Sequence, residues 1–280
     1  MTSKTLYANG CSFVWGDELY SDNKGWKEIS NEKHRWSRRF SESYEFNEVN
    51  QSLNGSSNDR IFRTTKDWIL DNQGKLENLF VVIGWSQPER TEWYNDIAKR
   101  YEAINLGIEP TEMSCKDGID ATGRVKDGLT KWEDKSYGPF LGKCPSSKFW
   151  KDYQKYYYND DYYIDQTILK MLGLKSILDS FNVKYYFYSS MNVELIQEIF
   201  VSKYRKLFDL DKICHDTKEK WISKRVKDET DGDIYFDSEE NSWVNPNGGW
   251  TGFSGSHPDQ KSHKLWSEFL YKEYKRLYSE

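Results

Sequence analysis

Residues 79–84 constrain the fold of this chain more than any other segment. They read Leu-Phe-Val-Val-Ile-Gly, an uninterrupted apolar run rich in β-branched residues and bounded by polar sequence. A strand that is apolar at every position, rather than at alternate positions, is typical of a parallel sheet covered by helices on both faces. We therefore expect a fully buried strand at the centre of the fold.

Strand and helix patterns alternate along much of the chain. Further strands are predicted at residues 5–9, 45–53 and 183–188, and apolar residues at helical spacing predict helices at 34–44, around 61–69, at 162–181 and at 261–278. This alternation predicts an α/β fold, a doubly wound parallel sheet with helices on both faces, formed by one domain over residues 1–280. Residues of about 94–160 and about 205–253 fit the alternation poorly and are predicted to be two insertions.

The composition excludes several classes of protein. The mean hydropathy of -0.90 is low, but 12 Trp, 20 Tyr and 14 Phe supply the bulky apolar surface that disordered chains lack. The net charge is -5, whereas nucleic-acid binders usually carry an excess of basic residues, so no nucleic-acid partner is expected.

The N-terminal sequence and the cysteines favour a soluble protein of the cytoplasm. The uncharged stretch 5–16 is too polar for a signal-peptide core and too short to span a bilayer. The four cysteines, Cys11, Cys115, Cys144 and Cys214, form no CxxC pair, which argues against a structural zinc site and fits a reducing compartment.

Polar residues follow three of the predicted strands at the end where ligands gather in open parallel sheets. Ser12 follows the first strand, Gly55 to Asn58 follow the second, and Ser86 with Gln87 follows the third. A nucleophilic serine needs a base. His257, just before the last helix, is expected at the same edge of the sheet, whereas His34 opens a helix and His215 lies in a charged insertion.

These segments resemble the SGNH (GDSL-type) hydrolases. The resemblance rests on Gly10-Cys11-Ser12-Phe13 after the first strand, the Gly55 loop, the segment Val-Val-Ile-Gly-Trp-Ser, and His257-Pro258 with His263 six residues on. Residues 10–19 also resemble the "GCSFTWG-E-L" opening common among phage and bacterial members. The four motifs cover about half of the chain, and they imply the flavodoxin-like SGNH hydrolase fold.

The resemblance implies a role for each matching position. Ser12 would be the nucleophile and His257 the general base. The backbone N–H groups of Ser12 and Gly55 and the side chain of Ser86 would form the oxyanion hole. No metal and no cofactor are implied.

The sequence departs from the family at two positions. The family's acid lies three residues before the histidine, where this chain has Ser254, and the family's oxyanion asparagine is Ser86 here. Losing a triad aspartate costs roughly four decades of rate in a well-studied serine hydrolase. A Ser-His dyad held by a backbone carbonyl, an amide from Asn58 or Gln87, and Arg90 facing the site are the expected sources of compensation.

Three functions follow in order of preference. The first is an SGNH-like serine esterase that hydrolyses a small acyl ester, with O-acetyl groups on a carbohydrate as a favoured substrate class. The second is a catalytically reduced SGNH-fold module for binding or structure, for example in a phage particle or a surface assembly, which would place it in the host cytoplasm or the virion. A nucleotide- or sugar-modifying transferase ranks last, because the first turn lacks a glycine-rich phosphate cradle. The sequence carries no signal for an oligomeric state.

Structural readings compete at the same residues. Ser12 also suits a tight turn or a helix cap, and Pro258 suits a first helical turn after His257. His263 is predicted to be a packed or capping residue, and a metal site formed by His257, Asp259 and His263 lacks a fourth ligand. The aromatic residues of 149–163 suit a sugar-binding surface or a compositional bias towards tyrosine.

Overall fold

The computed structural model describes residues 3–16, 19, 31–95, 100–105, 137–139, 155–230, 233–237, 242–246, 250–254 and 257–278. Its strands are β1 (Lys4–Gly10), β2 (Phe46–Asn50), β3 (Leu79–Trp85), β4 (Arg90–Asn95), β5 (Arg100–Asn105), β6 (Tyr137–Pro139), β7 (Lys184–Ser189), β8 (Tyr235–Asp237), β9 (Ser242–Val244), β10 (Phe253–Ser254) and β11 (His257–Pro258). Its helices are α1 (Ser12–Trp15), α2 (Asn31–His34), α3 (Trp36–Tyr44), α4 (Asn58–Asp71), α5 (Asp160–Ser180), α6 (Val193–Val201), α7 (Lys218–Thr230) and α8 (Gln260–Tyr278).

The centre of the fold is a parallel sheet of four strands in the order β2, β1, β3, β7. All seven residues of β3 are buried, as the apolar run predicts. Ile213 adds one further parallel bridge beside β7, opposite Phe187.

Helices cover both faces of this sheet, because side chains alternate along each strand. Tyr7, Val81, Ile83, Tyr185 and Phe187 pack against α4, α5 and α6 on one face. The intervening residues pack against α1, α3 and α8 on the other face; they are Leu6, Ala8, Phe80, Val82, Tyr186 and Tyr188. The prediction of a doubly wound α/β fold is thereby confirmed.

Two helix starts differ from their predicted positions because side chains cap them. Asn58, predicted to lie in a loop, begins α4, since the Ser57 side chain caps that helix by accepting a hydrogen bond from the Arg60 N–H at 3.1 Å. In the predicted helix 34–44 the backbone becomes extended at Arg35, and α3 begins at Trp36. The N–H of Trp36 is bound by the ring of His263, a partner far away in the sequence.

A small sheet that begins just before the first predicted insertion and continues into it is docked on α4. Strands β4 and β5 form an antiparallel pair, and β6 pairs with β5. Arg63 of α4 binds Glu92 of β4 through two hydrogen bonds of 2.8 and 3.1 Å. Residues 96–99, 106–136 and 140–154 lie outside the described residues, so the bounds of 94–160 stay a prediction.

The second predicted insertion contains α7 and the short strands after it. Ile222 and Val226 of α7 form an apolar cluster with Phe253, and Trp221, Ile234, Trp243 and Trp250 pack around it. Trp221 also contacts Trp266 of α8, with ring centroids 5.1 Å apart. This region is therefore packed against the main fold, and its bounds of 205–253 remain a prediction.

A search of the helices in the described ranges finds none with the length and apolar character needed to cross a membrane.

Candidate active site

Ser12 occupies a tight turn at the carboxyl end of β1. It begins α1, a single helical turn that ends at Gly16 in the left-handed conformation (φ 89), with the Gly16 N–H bound to the Ser12 carbonyl at 2.9 Å. A Cβ at Gly10 would lie 2.6 Å from the carbonyl oxygen of Gly84 in β3 and 2.3 Å from Val14. Glycine is required there, because α1 packs directly on the strands.

His257 reaches the same turn from the far end of the chain. Strands β10 and β11 pair antiparallel, so that Ser254 lies opposite His257. The rings of Phe13 and His257 are 5.4 Å apart between centroids, and α1 contacts β11. Both Ser12 and His257 are buried, at 3% and 8% exposure. The fold thus places the Ser12 turn in contact with the His257 hairpin.

Gly55 lies in the loop after β2. The Ser56 N–H donates to the Leu53 carbonyl at 3.1 Å, which closes a turn with Gly55 at its third position. The φ of Gly55 is 72, and a turn with positive φ at this position favours glycine. The Leu53 N–H donates to the Gly10 carbonyl at 3.1 Å, so this loop is attached to the end of β1.

Ser86 and Asn58 join the end of β3 to the start of α4. The Asn58 side chain accepts a hydrogen bond from the Ser86 N–H at 2.8 Å. Its amide group donates to three oxygens of the protein, each at 3.2 Å, which are Ser86 O, Gln87 O and Thr167 Oγ1. Arg90 donates to Ser86 Oγ at 3.4 Å, which leaves the hydroxyl hydrogen of Ser86 available for another acceptor.

Replacing Asn58 by alanine is expected to lower the free energy of unfolding by about 2–4 kcal/mol, because buried partners would lose their hydrogen bonds. Urea denaturation measures this change. Asn47→Ala, which removes an exposed bond to Ser3, is the matched control and is expected to cost less than about 0.5 kcal/mol. Equal effects of the two substitutions would show that the Asn58 bonds do not hold the β3 end.

These residues lie at the switch point of the sheet, where the order in which the chain adds strands reverses. The chain steps from β1 to β2 on one side and continues to β3 and β7 on the other, and ligands bind outside the carboxyl ends of the strands at such a switch point. Ser12 follows β1, Ser86 follows β3, and the Gly55 loop follows β2. The predicted residues therefore lie at one edge of the sheet, and their catalytic roles stay predictions.

His263 and Asp259 serve the fold. The Nδ1 atom of His263 accepts the Trp36 N–H at 2.8 Å, which confirms the predicted capping role. Burial lowers the pKa of His263 well below its usual range. Asp259 accepts from the Ser262 N–H at 2.7 Å and from Trp250 Nε1 at 2.6 Å. Among the described residues, no group of three His, Cys, Asp or Glu side chains is arranged to hold a metal ion.

The structure adds two residues that the sequence did not single out. Lys218 is fully buried, and its Nζ donates to the carbonyl of Phe13 at 2.8 Å. Glu219 is half-buried, and its N–H donates to the Ser190 carbonyl just after β7 at 3.1 Å. Both residues stand in the charged sequence Asp-Thr-Lys-Glu-Lys, which is indistinguishable from a solvated helix start.

Burial raises the pKa of Glu219 to about 7. At a pH between the ordinary pKa of a glutamate and 7, Glu219 is protonated in the folded protein but ionised in the unfolded chain. The free energy of unfolding therefore falls as the pH rises through this interval. Glu219→Gln removes this dependence, and its melting temperature is expected to exceed that of the wild type above pH 7 and to match it near pH 4. Thermal melts from pH 4 to 8 check this, with the exposed Glu77→Gln as control. A constant difference across this range would contradict it.

A model of a family of unknown function, DUF6071, matches residues 17–158, just over half of the chain. The chain belongs to this family. The matched region begins after Ser12 and ends before His257, so the family match does not include the two predicted catalytic residues. No curated protein matches the chain.

Several solved structures are similar to this chain at low sequence identity. An acetyl xylan esterase (Est2A) from the rumen bacterium Butyrivibrio proteoclasticus has a TM-score of 0.48 and 8% identity; the alignment covers 99% of this chain and 64% of that one. A carbohydrate esterase with divergent catalytic and non-catalytic binding functions has a TM-score of 0.44 and 10% identity; the alignment covers 99% of this chain and 69% of that one. The psychrotrophic esterase EstA from Pseudoalteromonas sp. has a TM-score of 0.38 and 11% identity; the alignment covers 98% of this chain and 97% of that one.

Proposed function

We propose that this protein is a serine ester hydrolase with Ser12 as nucleophile and His257 as general base. The observation that carries the proposal is the contact between the Ser12 turn and the His257 hairpin at the switch point of the sheet. A serine and a histidine brought together from opposite ends of a chain, at the edge where parallel sheets bind ligands, form the minimal pair for acyl transfer.

The proposed reaction has two halves. Ser12 Oγ attacks the ester carbonyl while His257 takes its proton, and His257 then returns the proton to the leaving alcohol. Water hydrolyses the acyl-serine with the same assistance and releases the acid. Ser12 is then free for the next cycle.

Stabilisation of the tetrahedral oxyanion is assigned to three donors. They are the N–H of Ser12, the N–H of Gly55 and the hydroxyl of Ser86. Arg90 supports the last of these, because a guanidinium donating to Ser86 Oγ makes that hydroxyl a stronger donor. Asn58 fixes the Ser86 backbone, and Gln87 contributes its carbonyl to that arrangement.

The substrate class proposed is a small acyl ester, in particular an O-acetyl group on a carbohydrate. Tyr156 and Tyr157 are exposed just before α5, at 65% and 71%, and aromatic rings of this kind pack against sugar rings. Burial, together with the carboxylates of Asp160 and Glu89, raises the pKa of Tyr158. Glu89 lies in the loop after β3, and a position of these tyrosines beside the proposed site is part of the proposal.

A second candidate function is a binding or structural module of the same fold that has lost most catalysis. Ser254 favours it, because the residue paired with His257 across β10 and β11 is a hydroxyl, which stabilises an imidazolium far less than a carboxylate does. Under this proposal the edge at Ser12 binds a ligand without hydrolysing it.

The deciding experiment treats the wild type and Ser12→Ala with p-nitrophenyl acetate and with a fluorophosphonate probe. We expect the wild type to hydrolyse the ester and to be labelled, and Ser12→Ala to do neither while keeping its melting temperature. Ser180→Ala, an exposed serine at the end of α5, is the control and should behave as wild type. Equal inertness of the wild type and Ser12→Ala would refute the hydrolase and leave the second candidate.

A further inference from the structure

Lys218 is an exception among the lysines that the structure describes, because its side chain is completely buried. Lysine is almost never fully buried without a partner, since its ammonium loses hydration there. Nothing in the part of the chain that the structure describes places a carboxylate within ion-pair distance of Lys218. Burial lowers its pKa well below the usual range, which favours the uncharged amine. The cost of burying this amine must be offset by the contacts that Lys218 makes.

Lys218 lies over the ring of Trp266, 5.9 Å from its centroid, and forms its hydrogen bond with the backbone of the Ser12 turn. Its Nζ donates to the carbonyl of Phe13, the residue directly after Ser12, at 2.8 Å. Within α1, the Val14 and Trp15 N–H groups donate to the Cys11 carbonyl, and the Gly16 N–H donates to the Ser12 carbonyl. A helix of four residues has little intrinsic stability, so a hydrogen bond from another element helps to hold α1 in its conformation.

The helix that begins with Lys218 also supports the His257 hairpin. Ile222 and Val226, one and two turns further along α7, pack against Phe253 of β10. A Cβ at Gly252 would lie 2.5 Å from Ile222 and 2.9 Å from Val226, so the chain entering the hairpin touches α7 directly. One rigid helix therefore contacts both segments that carry the proposed catalytic pair.

We propose that Lys218 is the positioning residue of the active site. It fixes the Ser12 turn through the Phe13 carbonyl, and α7 transmits that position to the hairpin of His257. The inference rests on the proposed function, because positioning matters only if Ser12 and His257 react together. Lys218 touches neither substrate nor the reacting atoms in this role.

Lys218→Met tests the role, because methionine fills similar space without an N–H donor. Lys218→Gln keeps a shorter donor, and Lys220→Met changes an exposed lysine on the same helix as control. The measurements are the melting temperature, kcat and KM for p-nitrophenyl acetate, the rate of fluorophosphonate labelling, and hydrogen exchange of the amides of Val14, Trp15 and Gly16.

We expect Lys218→Met to fold and to lose about 10- to 100-fold in kcat and in labelling rate, with KM within about threefold of wild type, since a misplaced nucleophile affects the reaction more than binding. Lys218→Gln should recover part of the loss, and Lys220→Met should lose nothing. A purely structural role would lower the melting temperature and leave the kcat of the folded protein unchanged. A folded Lys218→Met with kcat within twofold of wild type overturns the proposal.

Two further outcomes are decided by the same set of variants. If Lys218→Met does not fold, Lys218→Gln is judged by the same kcat and labelling criteria. If the wild type is neither active nor labelled, the proposed function fails, and hydrogen exchange decides the positioning alone. Faster exchange of the three α1 amides in Lys218→Met than in Lys220→Met supports it, and equal exchange overturns it.

Discussion

Replacing His257 by alanine is expected to lower kcat for p-nitrophenyl acetate by about 10³-fold or more. In a serine hydrolase, removing the histidine costs nearly as much as removing the whole triad, because the serine hydroxyl is a weak nucleophile without a base. KM should change little, since His257 acts mainly on the transition state. Steady-state kinetics with purified, folded variants measures both constants.

The controls for this prediction use one other histidine and the serine. His215→Ala, at an exposed position where the ring contacts Phe200, should keep the wild-type rate. The double variant Ser12→Ala/His257→Ala should be no slower than either single variant, because the two residues act as a unit. Additive losses would mean that His257 does not serve Ser12.

Replacing Ser254 by aspartate is expected to raise kcat by about 10- to 100-fold. Ser254 pairs with His257 across β10 and β11, and the resemblance to the SGNH hydrolases implies that an acid would stand at this position. A carboxylate there stabilises the imidazolium that forms when His257 takes the serine proton. In a complete triad, replacing the aspartate by asparagine lowers kcat roughly 10⁴-fold. We expect an aspartate introduced at residue 254 to recover only a part of that factor.

Ser254→Asn is the matched control, because it has the size of aspartate without its charge. It should leave kcat near the wild-type value, and the gain from aspartate should disappear when His257 is alanine. A gain shared by aspartate and asparagine, or one that survives the loss of His257, would contradict the assignment of Ser254. Activity that appears only in Ser254→Asp would instead identify the native protein as the catalytically reduced module.

Much of the fold could be predicted because it depends on local patterns. The apolar run at 79–84 and the helical spacing of Ile61, Thr65, Trp68 and Ile69 reflect which side of an element is buried. The structure buries these residues, except that Trp68 is partly buried against the same core. The last helix was predicted at nearly its observed bounds. The spacing favoured Leu265, Phe269, Leu270 and Tyr274, and of these four the structure fully buries Leu270. The buried face also contains Trp266 and polar His263, because the bond to Trp36 allows His263 to be buried.

By itself, the sequence determined the alternation of strands and helices, the doubly wound sheet, and the polar residues at its strand ends, since periodicity and turn chemistry are written in neighbouring residues. Only the tertiary structure decided that His257 meets the Ser12 turn, that Asn58 holds Ser86, and that Lys218 is buried beneath Phe13. These contacts join residues far apart in the chain, and such pairs leave no periodic pattern. The burial of a lysine, in particular, depends entirely on the elements that pack around it.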